Sequence, residues 1–278
     1  MVTGTSSGIG RHAAIELAKL NYTVYCTVRT KEDMHRWAQE SRSLRLEKYI
    51  IPMAIEITNS TQIQEGRKEI EEYLTKTGKP LVGIVNNAGV SFRKPVEMQE
   101  MDKVRKLFDV NFFGAVETTQ AFLPLLRKHK GRVVFISSMS AYGSLYGSGF
   151  YSASKRAIEA IADVLRVELA EHEVSVSSIL PGHIDTDLKE KGADNWTGEE
   201  HPAYPGIREK IMTAREENFK AAPGPEVTSE VVIHSLTSPY PQTRYYVGNA
   251  YQYPIQLVPV ILGVLPDRVA DFLKANKF

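Results

Sequence analysis

Apolar residues follow two alternating patterns along the chain. Short continuous runs rich in Val, Ile and Tyr are separated by longer stretches in which apolar residues recur every three or four positions. Continuous runs are typical of strands in a parallel sheet covered by helices on both faces, and the longer spacing is typical of amphipathic helices. The predicted strands are Tyr22–Val28, Tyr49–Ala54, Leu81–Val85, Arg132–Ser137, Val174–Ile179 and Arg244–Val247. The predicted helices are Ile9–Leu20, Lys31–Ser41, Thr61–Thr77, Met98–Lys128, Tyr151–Glu171 and Pro225–Thr237.

This alternation predicts one doubly wound α/β domain over residues 1–278, since right-handed crossovers place helices on both faces of a parallel sheet. Two segments depart from it. Residues 187–224 form a long connection of weak periodicity, and helical spacing over Ile207–Phe219 favours a substrate lid. Residues 255–278 begin with an apolar stretch that is shorter than the roughly 18 residues needed to span a bilayer. It could serve as a lid, a subunit contact or a shallow membrane contact.

Charge and cysteine content narrow the function classes. Among 278 residues, 34 are Lys or Arg and 33 are Asp or Glu, so no global field would gather nucleic acid. The single cysteine, Cys26, lies in a predicted strand and excludes an internal disulfide. A cytoplasmic protein is therefore expected, with peripheral attachment to an intracellular membrane as the alternative. No His, Cys, Asp and Glu spacing indicates a metal site, so no catalytic metal is expected.

A glycine-rich turn precedes the first predicted helix. Gly4, Gly8 and Gly10 are spaced where a backbone takes positive φ or approaches a ligand closely. The following helix N-terminus would offer its free N–H groups to a pyrophosphate. The alternative is a turn without a ligand. A full strand is expected before such a turn, and only residues 1–3 precede it, so the pattern predicts further strand residues upstream of Met1.

The end of the second strand bears on the choice of dinucleotide. An acidic residue there would bind a ribose 2′-hydroxyl, whereas a cation would accept a 2′-phosphate. This chain has Arg29 followed by Thr30, and a guanidinium and a hydroxyl both suit a phosphate. The sequence therefore favours NADP(H) over NAD(H). The alternative is that Arg29 is a solvated surface cation.

Tyr151 and Lys155 are the strongest candidates for chemistry. Their spacing of four places both side chains on one helix face, where an ammonium would lower the phenol pKa from its usual value near ~10. Such a pair also occurs often by chance. Its context favours function, because Ser138 ends the preceding strand, Asn87 ends an earlier one and Asn111 lies in the long helix between them. Ligands bind at the carboxyl ends of strands in open α/β sheets.

Together these motifs resemble the short-chain dehydrogenase/reductase superfamily, in its compact single-domain branch, over nearly the whole chain. The matching motifs are Thr3-Gly4-x-x-x-Gly8-Ile9-Gly10, Asn86-Asn87-Ala88-Gly89, Asn111, Ser138, Tyr151-x-x-x-Lys155 and Pro181-Gly182-x-x-x-Thr186. The runs Cys26–Arg29 and Leu265–Phe272 resemble, more loosely, the retinol and hydroxysteroid dehydrogenase group. The resemblance implies a Rossmann fold.

It also implies a role for each matching residue. Tyr151 would be the acid/base, Ser138 would hold the substrate oxygen, Lys155 would hold the nicotinamide ribose, and Asn111 would hold a relay water. The other cofactor contacts implied or predicted are Gly4, Ser6, Ser7, Gly8, Ile9, Gly10, Arg29, Thr30, Glu56, Ile57, Asn87, Ala88, Gly89, Pro181, Gly182, Ile184 and Thr186. The family commonly has aspartate after the third strand, where this chain has Glu56-Ile57, so that contact is in doubt.

The resulting expectation is an NADP(H)-dependent oxidoreductase that interconverts an alcohol and a carbonyl on a small lipophilic substrate such as a steroid, retinoid or fatty derivative. Ser138 and Tyr151 would bind that substrate, and His183 either borders it or is part of the scaffold. A homodimer or homotetramer is expected from packing of the long helices that hold Asn111 and Tyr151. The alternative function is a redox sensor that binds the dinucleotide and catalyses nothing.

Overall fold

The computed structural model describes residues 1–186, 201–250, 253–255, 264–266 and 268–269. The first part of the predicted lid, 187–200, and most of the predicted C-terminal segment, 255–278, lie outside the described residues. No helix in the described ranges is long and apolar enough to cross a membrane.

A parallel sheet forms the centre of the molecule. Its strands are β1 (Val24–Val28), β2 (Ile50–Ala54), β3 (Gly83–Asn86), β4 (Arg132–Ile136), β5 (Ser175–Pro181) and β6 (Arg244–Val247). β1 pairs with β2, and β3 to β6 pair in sequence order, all of them parallel. A short antiparallel pair, β7 (Asn249–Ala250) and β8 (Tyr253–Pro254), follows. The sequence-based prediction of a doubly wound parallel sheet is confirmed.

Residues 1–3 join the two halves of this sheet. Val2 bridges Cys26 of β1 on one side and Val85 of β3 on the other, both in parallel orientation, and is 1% exposed. Its N–H donates to the Tyr25 carbonyl at 2.9 Å, and its carbonyl accepts from the Thr27 N–H at 3.0 Å. The spatial order is therefore β2, β1, residues 1–3, β3, β4, β5, β6. The glycine turn starts from the middle of the sheet.

Helices cover both faces. They are α1 (Gly8–Lys19), α2 (Lys31–Ser43), α3 (Ser60–Thr77), α4 (Met101–Phe108), α5 (Ala115–His129), α6 (Gly149–Glu168), α7 (Ile207–Phe219) and α8 (Glu226–Thr237). One core layer contains Ile63 of α3, Phe122 of α5 and Ile158 of α6. The opposite layer contains Leu17 of α1 and Val232 of α8. Apolar side chains are thus buried on each side of the strands.

The helix predicted over Met98–Lys128 is interrupted near Asn111. A 3-10 turn at Val96–Met98 precedes α4, and a π-helical turn, Asp109–Gly114, separates α4 from α5. π turns within helices are frequent at functional sites. The turn contains Asn111, and its last residue, Gly114, packs so closely on Ile57 that an added Cβ would lie 2.7 Å from the Ile57 carbonyl oxygen.

Candidate active site

The predicted site residues gather at the carboxyl edge of the sheet. Because the strands are parallel, the segments that follow residues 1–3, β1, β2, β3, β4 and β5 all emerge at this one edge. These segments carry the glycine turn, Arg29, Ile57, Asn87, Ser138 and Thr186, in that order.

The glycine turn is held by the loop that follows β3. The Asn87 Nδ2 donates to the Thr3 and Gly4 carbonyls at 2.9 and 3.0 Å, and the Thr3 hydroxyl accepts from the Asn87 N–H at 3.0 Å. A Cβ added at Gly4 would lie 2.6 Å from the Ala88 Cα, and one at Gly10 would lie 2.2 Å from the Asn87 Nδ2. These two positions admit only glycine, so the turn keeps a backbone surface that a ligand can approach.

The amino end of α1 faces the loop after β5. Gly8, the first residue of α1, has φ +60°, and a Cβ there would lie 3.3 Å from the Thr186 Cβ. The first turn of α1 contains no acidic side chain. No carboxylate of that turn therefore offsets the positive end of the helix dipole. An anion site at a helix N-terminus requires this positive end to stay available.

Arg29 and Thr30 lie exposed after β1. Thr30 is the N-cap of α2, and its hydroxyl accepts from the Asp33 N–H at 3.1 Å. Ile57 is buried under the π turn. The Glu56 carboxylate accepts a hydrogen bond from the Thr58 N–H at 3.4 Å, within the loop that follows β2.

Tyr151, Ser138 and Lys155 come together at the carboxyl end of β4. The Ser138 hydroxyl lies beside the Tyr151 phenol, where hydrogen bonding to it lowers the phenol pKa. The Lys155 Nζ lies 5.9 Å from the centroid of the Tyr151 ring and donates to the Ile136 carbonyl at 2.8 Å. Lys155 is 5% exposed, so its ammonium group is held at this edge almost without water.

Two pKa shifts follow from this burial. Desolvation lowers the pKa of Lys155 to about 8, partly offset by the Glu159 charge. Desolvation also raises the pKa of Tyr151 above its ordinary value, and this outweighs the opposing effects of the Ser138 hydrogen bond and the Arg93 charge. The protein groups alone therefore shift the phenol pKa upward, opposite in sign to the sequence-based expectation.

Asn111 is fixed by three hydrogen bonds. Its Oδ1 accepts from the Val90 N–H at 2.8 Å, and its Nδ2 donates to the Val90 carbonyl at 2.9 Å and to the Ser154 Oγ at 3.1 Å. A Cβ added at Gly89 would lie 3.4 Å from the Asn111 Oδ1 and 3.6 Å from the Lys155 Nζ. Asn111 and Lys155 therefore flank the same narrow space at Gly89.

The loop after β5 packs on β7 and on α7. A Cβ added at Gly182 would lie 2.3 Å from the Asn249 carbonyl oxygen, Pro181 ends β5, and Ile184 is 5% exposed. The His183 ring makes an edge contact with Phe219 of α7, with centroids 5.2 Å apart. Burial lowers the pKa of His183 to about 4, so the ring is neutral at neutral pH.

Sequence reasoning did not single out Arg93 and Arg215. The Arg93 charge lowers the pKa of Tyr151, His183 and Arg215, which shows that it lies among all three groups. Arg215 of α7 is 8% exposed, with its guanidinium 5.7 Å from the Phe219 ring centroid. Nothing in local sequence links these two arginines, because they are far apart along the chain and come together only in the tertiary structure.

Comparison with known proteins gives consistent results. The family described as short chain dehydrogenase matches residues 1–196. Estradiol 17-beta-dehydrogenase 2 from Mus musculus is 33% identical over 90% of this chain and 68% of that protein; the match to its Rattus norvegicus counterpart covers 50% of that protein. The 17-beta-hydroxysteroid dehydrogenase type 6 from Rattus norvegicus is 32% identical over 99% of this chain and 86% of that protein.

Solved structures share the fold. A short-chain dehydrogenase from Streptomyces avermitilis has a TM-score of 0.75 and 26% identity, covering 99% of this chain and 94% of that one. A short chain dehydrogenase from Burkholderia cenocepacia J2315, solved in complex with NADP, has a TM-score of 0.69 and 24% identity, covering 100% of this chain and 95% of that one. The family match over most of the chain, on a doubly wound sheet with this glycine turn, shows that the protein belongs to the short-chain dehydrogenase family.

Proposed function

We propose that this protein is an oxidoreductase that interconverts an alcohol and a carbonyl by hydride transfer, with Tyr151 as the acid/base. The observation that carries the proposal is the convergence of Tyr151, Ser138 and Lys155 beside a glycine turn whose Gly4 and Gly10 leave no room for a side chain. In reduction, the hydride donor and the proton donor would then meet at one edge of the sheet.

The residues present fit a dinucleotide. Bound at this edge, NADP(H) would supply or accept the hydride, which is chemistry that no side chain provides. Gly4, Gly8 and Gly10, with Ser6, Ser7 and Ile9 of the same turn, would face the pyrophosphate at the amino end of α1. Adenosine would lie near Glu56, Ile57, Asn87, Ala88 and Gly89. The carboxamide would lie near Pro181, Gly182, Ile184 and Thr186. Support for NADP comes from Arg29 and from the NADP complex of the structural relative.

The chain's own residues would manage the proton. A phenol whose pKa is raised by burial keeps its proton at neutral pH, so Tyr151 is suited to donate to a carbonyl oxygen during reduction. Ser138, which lies beside the phenol, would hold that oxygen. Lys155 would bind the nicotinamide ribose and, together with Asn111 beside Gly89, would pass a proton inward from solvent.

The region around α7 is the proposed site of a lipophilic substrate. A cavity of about 20 Å³, room for about one water, lies between α7 and the segment before Tyr151. Leu145, Ile207 and Ile211 form apolar walls, and Arg93 and Lys210 also line it. A steroid, retinoid or fatty derivative would have to move α7 outward. The names of the relatives that act on estradiol and hydroxysteroids support this substrate class.

A homodimer or homotetramer is the proposed assembly. Phe113 of the π turn and Val164 and Val167 of α6 are 58%, 52% and 78% exposed. These apolar side chains are on the two elements that also hold Asn111 and Tyr151, and exposed apolar patches mark contact sites. The proposed location is the cytoplasm, where the buried free thiol of Cys26 would stay reduced, with peripheral membrane contact as the alternative.

Replacing Tyr151 with phenylalanine should reduce turnover of hydrophobic carbonyl compounds with NADPH by ~10²-fold or more, since the proton donor is removed. NADPH affinity should stay within about threefold. Steady-state absorbance at 340 nm and fluorescence titration measure the two, and exposed Tyr240→Phe is the matched control. Full activity of Tyr151→Phe would contradict the mechanism.

The wild type tests two further points. A wild type that binds NADPH but has no activity would favour the redox-sensor alternative. Turnover restricted to small polar carbonyls would exclude a lipophilic substrate.

Arg29→Ala should weaken NADPH binding by about tenfold or more and leave NADH binding unchanged, because the guanidinium would contact only the 2′-phosphate. Fluorescence titration with both nucleotides checks this. Arg45→Ala, which removes another exposed arginine after α2, is the control. Equal loss of affinity for the two nucleotides would contradict the assignment of Arg29.

Gly10→Ala should weaken NADPH binding by at least about tenfold, because its Cβ would displace the Asn87 amide and open the turn. Gly78→Ala is a stability control: Gly78 has φ +67°, and an added Cβ there would meet nothing within 4 Å, at the opposite edge of the sheet. The control should lose about 1 kcal/mol of unfolding free energy and keep its affinity. Normal affinity in Gly10→Ala would argue against a cofactor cradle here.

The wild type should sediment as a dimer or tetramer, and Val167→Asp should shift it toward monomer, since a charge would be buried in the contact. Analytical ultracentrifugation over a concentration series measures this. Glu168→Lys, at the next, exposed position of α6, controls for a change in charge. A wild type that stays monomeric at all concentrations would contradict the proposed dimer or tetramer.

A further inference from the structure

We propose that Glu159 is a positioning residue of the active site, whose buried carboxylate keeps Lys155 protonated and anchors the segment that carries Ser138. The kinetic consequence rests on the function proposed above, whereas the charge relation between Glu159 and Lys155 does not.

The two residues lie on one face of α6. Tyr151, Lys155, Glu159 and Asp163 follow one another at intervals of four, so they form a single stripe along the helix. Lys155 is 5% exposed and Glu159 is 2% exposed. A buried ammonium and a buried carboxylate one helical turn apart interact strongly, because little water screens them.

Lys155 needs this charge. The hydrogen bond found for its Nζ goes to the uncharged Ile136 carbonyl, and burial already draws the lysine pKa down to about 8. The Glu159 charge acts in the opposite direction. Without it, the pKa of Lys155 would fall below 8 and the ammonium would lose its proton within the neutral range.

The Glu159 carboxylate is held from β6 and from the segment after β4. Its Oε2 accepts from the Arg244 Nε at 2.9 Å and from the Tyr142 hydroxyl at 3.3 Å. Arg244 also pairs with Asp163. The Glu159 Oε1 is buried without a hydrogen-bond partner among the described residues, so hydrogen bonds satisfy only one of its two oxygens. A carboxylate held in this way keeps a negative field inside the protein.

The other groups named around Lys155 and Glu159 are neutral aromatic and amide side chains. The elements facing Lys155 contribute the Tyr151 ring from α6 and the neutral amide of Asn111 near Gly89. Near Glu159, β6 adds Tyr246, whose pKa is raised by burial and by the carboxylate. Glu159 is the charged side chain that acts on the Lys155 pKa.

The same carboxylate reaches Ser138 through Tyr142. Tyr142 ends the 3-10 turn Met139–Ala141 that starts at Ser138, and the Ser138 hydroxyl accepts from the Ser140 N–H at 3.1 Å. The Arg156 guanidinium of α6 lies 4.7 Å from the Tyr142 ring centroid. One anion therefore acts through its charge on the Lys155 ammonium and contacts Tyr142 at the end of the turn that starts at Ser138.

The decisive measurement is the Lys155 pKa in the cofactor-free full chain, followed by NMR of [¹³Cε]lysine, with the signal assigned by Lys155→Met. In Glu159→Gln the pKa should fall by about one unit or more below the wild-type value. Glu159→Asp, which keeps the charge, should recover most of that shift. Glu168→Gln, the same change on an exposed residue of α6, should leave the pKa unmoved. An unchanged Lys155 pKa in Glu159→Gln would overturn the inference.

A second variant distinguishes a purely structural role of Glu159 from its effect on the Lys155 pKa. Glu159→Gln leaves the Arg244 guanidinium without its Glu159 carboxylate partner, which destabilises the fold. The double variant Glu159→Gln, Arg244→Met removes both charges and avoids that unpaired cation. The double variant should regain thermal stability and still show the lowered Lys155 pKa. Recovery of both properties together would mean that Glu159 acts only through packing.

The kinetic arm uses the pH dependence of alcohol oxidation. Lys155 stabilises the phenolate only while it is protonated, so the loss of turnover at high pH should begin about one pH unit lower in Glu159→Gln. Failure of the wild type to turn over any substrate would refute the proposed function and leave the NMR result intact. A normal high-pH limb with a lowered lysine pKa would refute the link between Lys155 charge and catalysis.

Discussion

Lys155 places an ammonium group at the carboxyl edge of the sheet, where it is 5% exposed and bonds to the Ile136 carbonyl at 2.8 Å. A buried cation is costly unless an anion compensates it, and the compensation here comes from Glu159 one helical turn away. α6, the turn after β4 and β6 meet around these two charges. Each of these elements supplies a group that holds either the cation or its counter-ion.

The parallel sheet determines which segments become neighbours of the Lys155 ammonium. Its strands all end at one edge, so the glycine turn, the loop with Asn87 and the turn with Ser138 become neighbours although they are far apart in sequence. Hydrogen bonds from the Asn87 amide to the Thr3 and Gly4 carbonyls lock the first two of these segments together. The glycine turn and the residues around Tyr151 thus lie at the same edge of the sheet.

The helix that carries Asn111 shows why regular periodicity is an incomplete guide. Apolar spacing predicts a continuous helix through this region, and the structure has a π turn over Asp109–Gly114. The Asn111 side chain bonds to the Val90 backbone and Ser154, and Gly114 lies against the Ile57 carbonyl. These tertiary contacts favour a wider turn at this point, and local spacing contains no record of them.

By itself, the sequence determined the doubly wound fold, the order of the strands along the chain and the identity of the motif residues, because apolar runs and glycine positions are local consequences of burial and backbone geometry. It also identified Tyr151 and Lys155 as a pair. Only the tertiary structure decided the sign of the Tyr151 pKa shift, since burial depends on neighbours from several elements. It alone brought Arg244 to Glu159, because opposite charges 85 positions apart meet only when the sheet places them side by side.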